Sequence, residues 1–224
     1  DDNTSGGGQH GAEVTYTNNR YQFNWNHQYV NQDFDAEVGF IIRNNAFRMN
    51  PNATMFIFPD SKSINRIDLK LGFEQVIKPG GGLLDRNVNF GIENRFKSTA
   101  NLELQGNLDY VLLTGDFDPT GVDTISLLEG EVFRNAQLEL SYRSNNNKLF
   151  TFGGRLIGGQ FFGGKRYGLR ADMSYRLGVL GSLSMTASYN YLDREAPYSS
   201  ASLFLLGPKF DITFTKKLFW TTFL

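Results

Sequence analysis

Three stretches of this chain carry residue types at spacings that could do chemistry. Gly159-Gln160-Phe161-Phe162-Gly163-Gly164-Lys165 spells most of GxxxxGK, the spacing with which a glycine-rich loop cradles phosphates and a lysine reaches them. The next residue is Arg166 rather than Ser or Thr, and the sequence goes on to alternate like a strand where that motif needs a helix. The glycines of GGQFFGGK therefore read as a flexible surface loop. Asp116-Phe117-Asp118-Pro119-Thr120-Gly121-Val122-Asp123 has the density of carboxylates of a calcium loop, but Thr120 replaces a ligand and no Glu stands at the twelfth position. A solvated acidic loop is the simpler account. Hydrolysis needs a base within hydrogen-bond reach of a nucleophile, and the only histidines are His10 and His27. His10 falls in a glycine-rich segment and His27 on an apolar strand face. Two histidines and no cysteine also disfavour a transition-metal site, a disulfide framework or a thiol nucleophile. No catalytic, cofactor-binding or metal-binding residue is assigned, and an enzyme is not expected.

The elements that would hold these residues are strands. The hairpin Gly164 to Asp193 shows the pattern most clearly. Tyr167, Leu169, Ala171, Met173 and Tyr175 alternate with Arg166, Gly168, Arg170, Asp172, Ser174 and Arg176. After Gly178-Val179-Leu180-Gly181, Leu183, Met185, Ala187, Tyr189 and Tyr191 alternate with Ser182, Ser184, Thr186, Ser188 and Asn190. Successive side chains point to opposite sides of a strand, so each strand has one apolar and one polar face. Each is about 10–12 residues long, roughly twice a usual soluble strand and the length of a tilted membrane-spanning one. Tyrosines near both strand ends suit a membrane–water boundary.

The same rhythm recurs along the 224 residues, giving about twelve strands. Residues 1–10 read as a flexible linker and 11–224 as a transmembrane β-barrel segment. Short turns are expected near residues 18, 60, 98, 146, 179 and 216, and long connections near 31–49, 78–86, 115–129, 158–165 and 193–198. Tight turns at one rim and long loops at the other mark outer-membrane barrels. A bulge is expected at Gly207-Pro208. The fold class is all-β, an antiparallel up-and-down transmembrane barrel. A large soluble antiparallel sheet with one buried face is the rival.

On this register the polar set contains Arg66, Lys70, Arg95, Arg143, Arg155, Arg166, Arg170, Arg176 and Lys209. It also contains Glu13, Asp68, Glu74, Glu93, Glu103, Asp109, Glu139, Asp172 and Asp211. The signs balance, where a strongly ion-selective pore shows an excess of one sign. Cross-strand ion pairs bracing an inner wall are expected, with a mixed-charge path for polar solutes as the functional alternative. Aromatics fall into two groups. Tyr16, Tyr21, Phe58, Phe96, Tyr142, Phe150, Tyr175 and Phe214 lie by the short turns; Tyr29, Phe73, Tyr110, Tyr167 and Tyr191 lie at the other ends. The net charge of -1 argues against a nucleic-acid partner. No apolar run reaches the ~18 residues of a membrane helix, which leaves a membrane barrel open. The first residues lack the basic start and apolar core of a signal peptide, so a secreted barrel implies that one was cleaved or that the chain is a fragment.

The run DFDAEVGFIIRNNAFRMNPNATMFIFP (Asp33–Pro59) and the closing KKLFWTTFL (Lys216–Leu224) resemble an uncharacterised outer-membrane β-barrel family. Its members carry an N-terminal domain resembling family-nine carbohydrate-binding modules. The resemblance covers most of the chain and names no catalytic residue. It implies a sandwich domain ahead of this chain and further strands after Phe219-Trp220-Thr221-Thr222-Phe223, so that the chain is the middle of a larger barrel. The expectation is an integral protein of the bacterial outer membrane, of a Gram-negative cell envelope, that passes or takes up polar solutes in a porin-like way. Its partners are then the lipid bilayer, carbohydrate as a solute, and a periplasmic or surface protein. The alternatives are a plugged barrel anchoring or scaffolding a partner, and, least supported, an outer-membrane hydrolase.

Overall fold

Alternation of apolar and polar residues over a dozen segments dictates long strands with two unlike faces, and the chain forms them in sequence order. The computed structural model describes residues 7–34, 43–121, 125–215 and 218–223. Among these are twelve strands: β1 (Gln9–Thr17), β2 (Tyr21–Val30), β3 (Ala46–Ile57), β4 (Ile64–Ile77), β5 (Leu83–Phe96) and β6 (Asn101–Leu112). The others are β7 (Val132–Arg143), β8 (Phe150–Phe161), β9 (Gly164–Arg176), β10 (Gly181–Asp193), β11 (Ala201–Thr215) and β12 (Leu218–Phe223). They form one sheet in the order β1 to β12, each strand antiparallel to the next. β1 and β12 are its two edges and do not pair with each other. A single 3-10 turn, Gly178–Leu180, joins β9 to β10.

Burial runs opposite to that of a soluble sheet. Along β7 the outward series Val132, Arg134, Ala136, Leu138 and Leu140 is exposed, while Phe133, Asn135, Gln137 and Glu139 between them are partly or fully buried. Leu169 is 51% exposed, Met173 45% and Leu183 40%, with no second layer over them. Ala187, in the same series, is half-buried. The residue buried most completely with its side chain is Asp68, on the polar face. Polar-face side chains crowd together, and two cavities open among them. Among the described residues the buried apolar cluster is small, Ala46, Val76 and Leu84 against Leu112, and sits at one rim.

Several expectations need correction. β1 starts at Gln9, so Gln9 and His10 belong to the sheet rather than to a linker; residues 1–6 lie outside the described residues. β3 starts at Ala46, inside the expected long connection, and contains Pro51. Its ladder with β4 runs from Phe47–Ile77 to Met49–Gln75, skips Asn50 and Pro51, and resumes at Asn52–Gly72. The missing proline N–H thus falls where no bond is made. GGQFFGGK is no loop: β8 and β9 are joined by Phe162-Gly163 alone, with φ of 46° and 79°, the positive pair that a tight hairpin turn requires. The connection at 78–86 shortens to 78–82. The contrast in loop length therefore rests on two connections, 31–45 and 113–131, which leave from the same rim. Gly207 and Pro208 pair in regular register with Thr186 and Met185; the bulge lies between Thr213 and Thr215 instead. The turn expected at Lys216-Lys217 lies outside the described residues.

Candidate functional site

The polar face is built row by row from residues directly opposed across strands. Asp68 on β4 faces Phe56 on β3 and Glu93 on β5, and Glu93 faces Glu103 on β6. Three acidic side chains in one row would repel, and the rows beside them supply the cations. Asp68 accepts from Arg66 at 2.6 and 2.8 Å and from Arg95 at 3.0 Å. Arg66 in turn lies 4.4 Å over the Phe56 ring. Lys70 Nζ stands 2.7 Å from both Glu93 and Glu103. It reaches β6 across β5 because its partner there is Gly91, which has no side chain in the way. Arg95 also meets Glu93 at 3.2 Å, which makes one chain of charge from Arg66 to Glu103. Asp68 is 1% exposed, and an anion so buried is tolerable only when paired and hydrogen-bonded.

A second group lies farther along the sheet. Arg155 pairs with Glu139 across β7 and β8. Arg170 holds Asp172 at 2.9 Å within β9, and Thr186 on β10 donates to the same carboxylate at 2.7 Å. These side chains and Arg143 line a cavity of about 720 Å³ on the polar face. Lys209 and Asp211 pair at 2.8 Å on β11, and Thr221 donates to Asp211 at 2.8 Å. The balanced charges thus include cross-strand pairs, as expected, together with pairs inside one strand.

The structure adds residues that the sequence did not mark. Arg48, assigned to a connection, is in β3 and pairs with Glu74 at 2.7 Å. Arg43 enters from the 31–45 connection, pairs with Asp85 at 2.9 Å, donates to the Leu112 carbonyl at 3.1 Å, and bonds Thr114 at the start of the 113–131 connection. The two long connections are so tied together over one rim. The alternation Phe47-Arg48-Met49 was a signal for β3, masked by Pro51; nothing local marked Arg43. The 113–131 connection packs Phe117 at 5.1 Å from Phe162, and the buried Asn135 receives the Phe162 N–H at 2.8 Å.

The stretches considered for chemistry fare differently. Asp118 accepts from its own neighbour Thr120, at 2.8 and 2.6 Å, and Asp116 accepts the Glu129 N–H at 3.0 Å. These bonds close turns; Val122 and Asp123 lie outside the described residues. No cluster of three or more acidic or histidine ligands occurs among the described residues. His27 pairs with Ala12 and Met49 on the apolar face, with His10 and Phe47 rings at 6.1 and 5.9 Å. His10, opposite Tyr29, stands on that face too, not in a linker. No helix among the described residues is long and apolar enough to cross a membrane, a fact that does not bear on strands.

No curated protein and no solved structure matches this chain. A family described as a domain of unknown function, DUF5916, matches residues 1–214. A twelve-strand antiparallel sheet with a bare apolar face and an ion-paired polar face is thus the form taken here by a member of DUF5916, the family to which this chain belongs.

Proposed function

We propose that the chain supplies twelve strands of a bacterial outer-membrane β-barrel, part of a larger one, through which polar solutes, glycans among them, pass or are taken up. One observation carries this: the apolar face is the exposed one and the polar face the crowded one. A sheet standing in water with one face of bare large apolar side chains from β1 to β11 would aggregate; in acyl chains the same face is at equilibrium. The dimensions fit. On β9, Tyr167 and Tyr175 are eight residues apart (175 − 167), about 26 Å along the strand and about 20 Å of height at a ~40° tilt. Toward the long-loop rim the outward positions turn amphipathic and polar, with Tyr110 flanked in its own row by Arg86 and Arg134, and Lys165 following Tyr167, as at an interface. On this reading the rim with the 31–45 and 113–131 connections faces outside, and the short turns face the periplasm. Closure comes from β1 and β12 meeting further strands, and the carbohydrate-binding neighbour that the family resemblance implies agrees with a glycan cargo.

A second reading, a plugged barrel that anchors or scaffolds a partner, has its own support. On β11 and β12 the alternation fails. Leu203 and Leu205 oppose Asn190 and Ser188 on the polar face, and Phe219 and Phe223 oppose Thr213 and Lys209. All four are more than half exposed. Apolar side chains on both faces suit a strand covered on both, by lipid outside and by a plug inside.

Planar-bilayer recording of the full-length protein separates the two. Stable unitary conductance supports passage, and a bilayer-inserted protein that never conducts refutes it. A plugged barrel is expected to begin conducting once Leu203→Ser and Leu205→Ser release what covers them.

A further inference from the structure

From β2 to β7, one row of the polar face carries no charge; beyond Gly159 on β8 it reaches Arg166 on β9. Asn24 on β2 opposes Asn52 on β3; Asn52 opposes Gly72 on β4; Gly72 opposes Asn89 on β5; Asn89 opposes Asn107 on β6; and Asn107 opposes Gln137 on β7. Every side chain in this row is a carboxamide or absent. The ionic cluster around Lys70 lies beside it toward the short turns. On its other side the two acids are engaged, Glu74 by Arg48 and Asp109 by Asn87.

Gly72 is the centre of the row. A Cβ there would stand 2.5 Å from the Asn89 carboxamide and 2.6 Å from the Asn52 oxygen. The missing side chain lets the two amides lean together over β4. Asn52 donates to Asn50 at 2.8 Å and Asn89 to Asn87 at 3.0 Å, but their own side-chain oxygens accept nothing among the described residues. All five amide residues are half-buried rather than fully solvated.

We propose that this row is a binding track for neutral, hydroxyl-rich solutes, an extended oligosaccharide above all. The proposal rests on the passage reading and names the cargo it favours. A carboxamide offers two donors and an acceptor without charge, and a sugar hydroxyl offers a donor and two lone pairs. Each finds its complement in the other. The row itself offers no charge to an ionic solute, and the carboxylates beside it are engaged, Glu74 by Arg48, Asp109 by the Asn87 amide and Glu13 by the Asn24 amide. The row crosses five strand spacings, about 24 Å, which favours a ligand lying along it over a compact one.

The test is block of single-channel current by maltohexaose, with a polyethylene glycol of equal hydrodynamic size as a probe that lacks the hydroxyl donors. Wild type is expected to show longer block by maltohexaose than by the glycol. Asn52→Leu combined with Asn89→Leu is expected to weaken maltohexaose block by roughly tenfold or more, with open conductance and glycol block unchanged. Equal block by the two probes, or block that survives in the double variant, overturns the proposal and leaves passage standing. Gly72→Ala keeps both amides but drives them apart, and gives the same readout should the double variant fail to fold. Should the channel never conduct, passage fails, and calorimetric titration of maltohexaose into the protein in detergent micelles decides the track: binding lost in the variants supports it, and no binding to wild type sinks it.

Discussion

Replacing Leu138 by Arg tests which medium surrounds the apolar face. Leu138 is 53% exposed, midway along the outward series of β7, four residues from Arg134 and four from Tyr142. It is therefore about 13 Å along the strand from either boundary. Its partners across both neighbouring strands are glycines, Gly106 and Gly158, with the Phe90 and Tyr167 rings over them, so Leu138→Ala serves as the reference that removes the leucine's packing alone. In water, an exposed strand position with such neighbours tolerates arginine within about 0.5 kcal/mol. At a bilayer midplane the same guanidinium costs about 2–4 kcal/mol, or roughly 30- to 1,000-fold in the folding equilibrium. The side chain is bare in both cases, so only the medium differs. The assay is guanidinium unfolding in phospholipid vesicles, followed by fluorescence of Trp25 and Trp220. Gln137→Arg, one residue away on the polar face, is the control and is expected to change stability by less than about 1 kcal/mol. A Leu138→Arg protein as stable in vesicles as wild type would refute a lipid-facing surface.

The other expectations concern both faces. The chain has no cysteine, so single cysteines report cleanly: Leu169→Cys, Ala171→Cys and Met173→Cys are expected to resist a water-soluble maleimide in vesicles, while Arg170→Cys, Asp172→Cys and Ser174→Cys react; labelling without that alternation counts against two-sided strands. Lys70→Met leaves Glu103 without a cation, facing a Glu93 held by Arg95 alone, and is expected to destabilise by about 3 kcal/mol in the same unfolding assay, most of it recovered by adding Glu93→Gln and Glu103→Gln. Gly106→Val is expected to cost about 1–3 kcal/mol, because the Phe90 ring lies where the new Cβ would go, 2.3 Å from Cζ; an unchanged unfolding midpoint would show that the ring moves freely.

Much of the fold was legible because it is periodic. The hairpin from Gly164 to Asp193 pairs in the order that alternation dictates, Leu183 with Tyr175 and Ser184 with Ser174. The charged residues assigned to one face in β4, β5, β9 and β11 do share it, since a period of two leaves no freedom once the strand is set. Legibility failed where local chemistry conflicted with pairing. Pro51 looked like a strand breaker, yet the ladder accommodates it at an unpaired step. Four glycines and a lysine's spacing looked like a loop between β8 and β9, yet Phe162-Gly163 needs only two positive φ values to reverse the chain. The amide row was invisible in one dimension, because Asn24, Asn52, Asn89, Asn107 and Gln137 come from five separate strands.

By itself the sequence determined that this chain would form long two-faced strands, which face each residue would take, and that the charges would balance. Those are properties of single strands, and alternation encodes them locally. Tertiary structure decided who meets whom: that Lys70 spans Gly91 to hold two glutamates, that Arg43 ties two distant connections, and that neutral amides converge over Gly72. Such meetings depend on strand register and sheet curvature, which are set by the sum of all the pairings and written in no one segment.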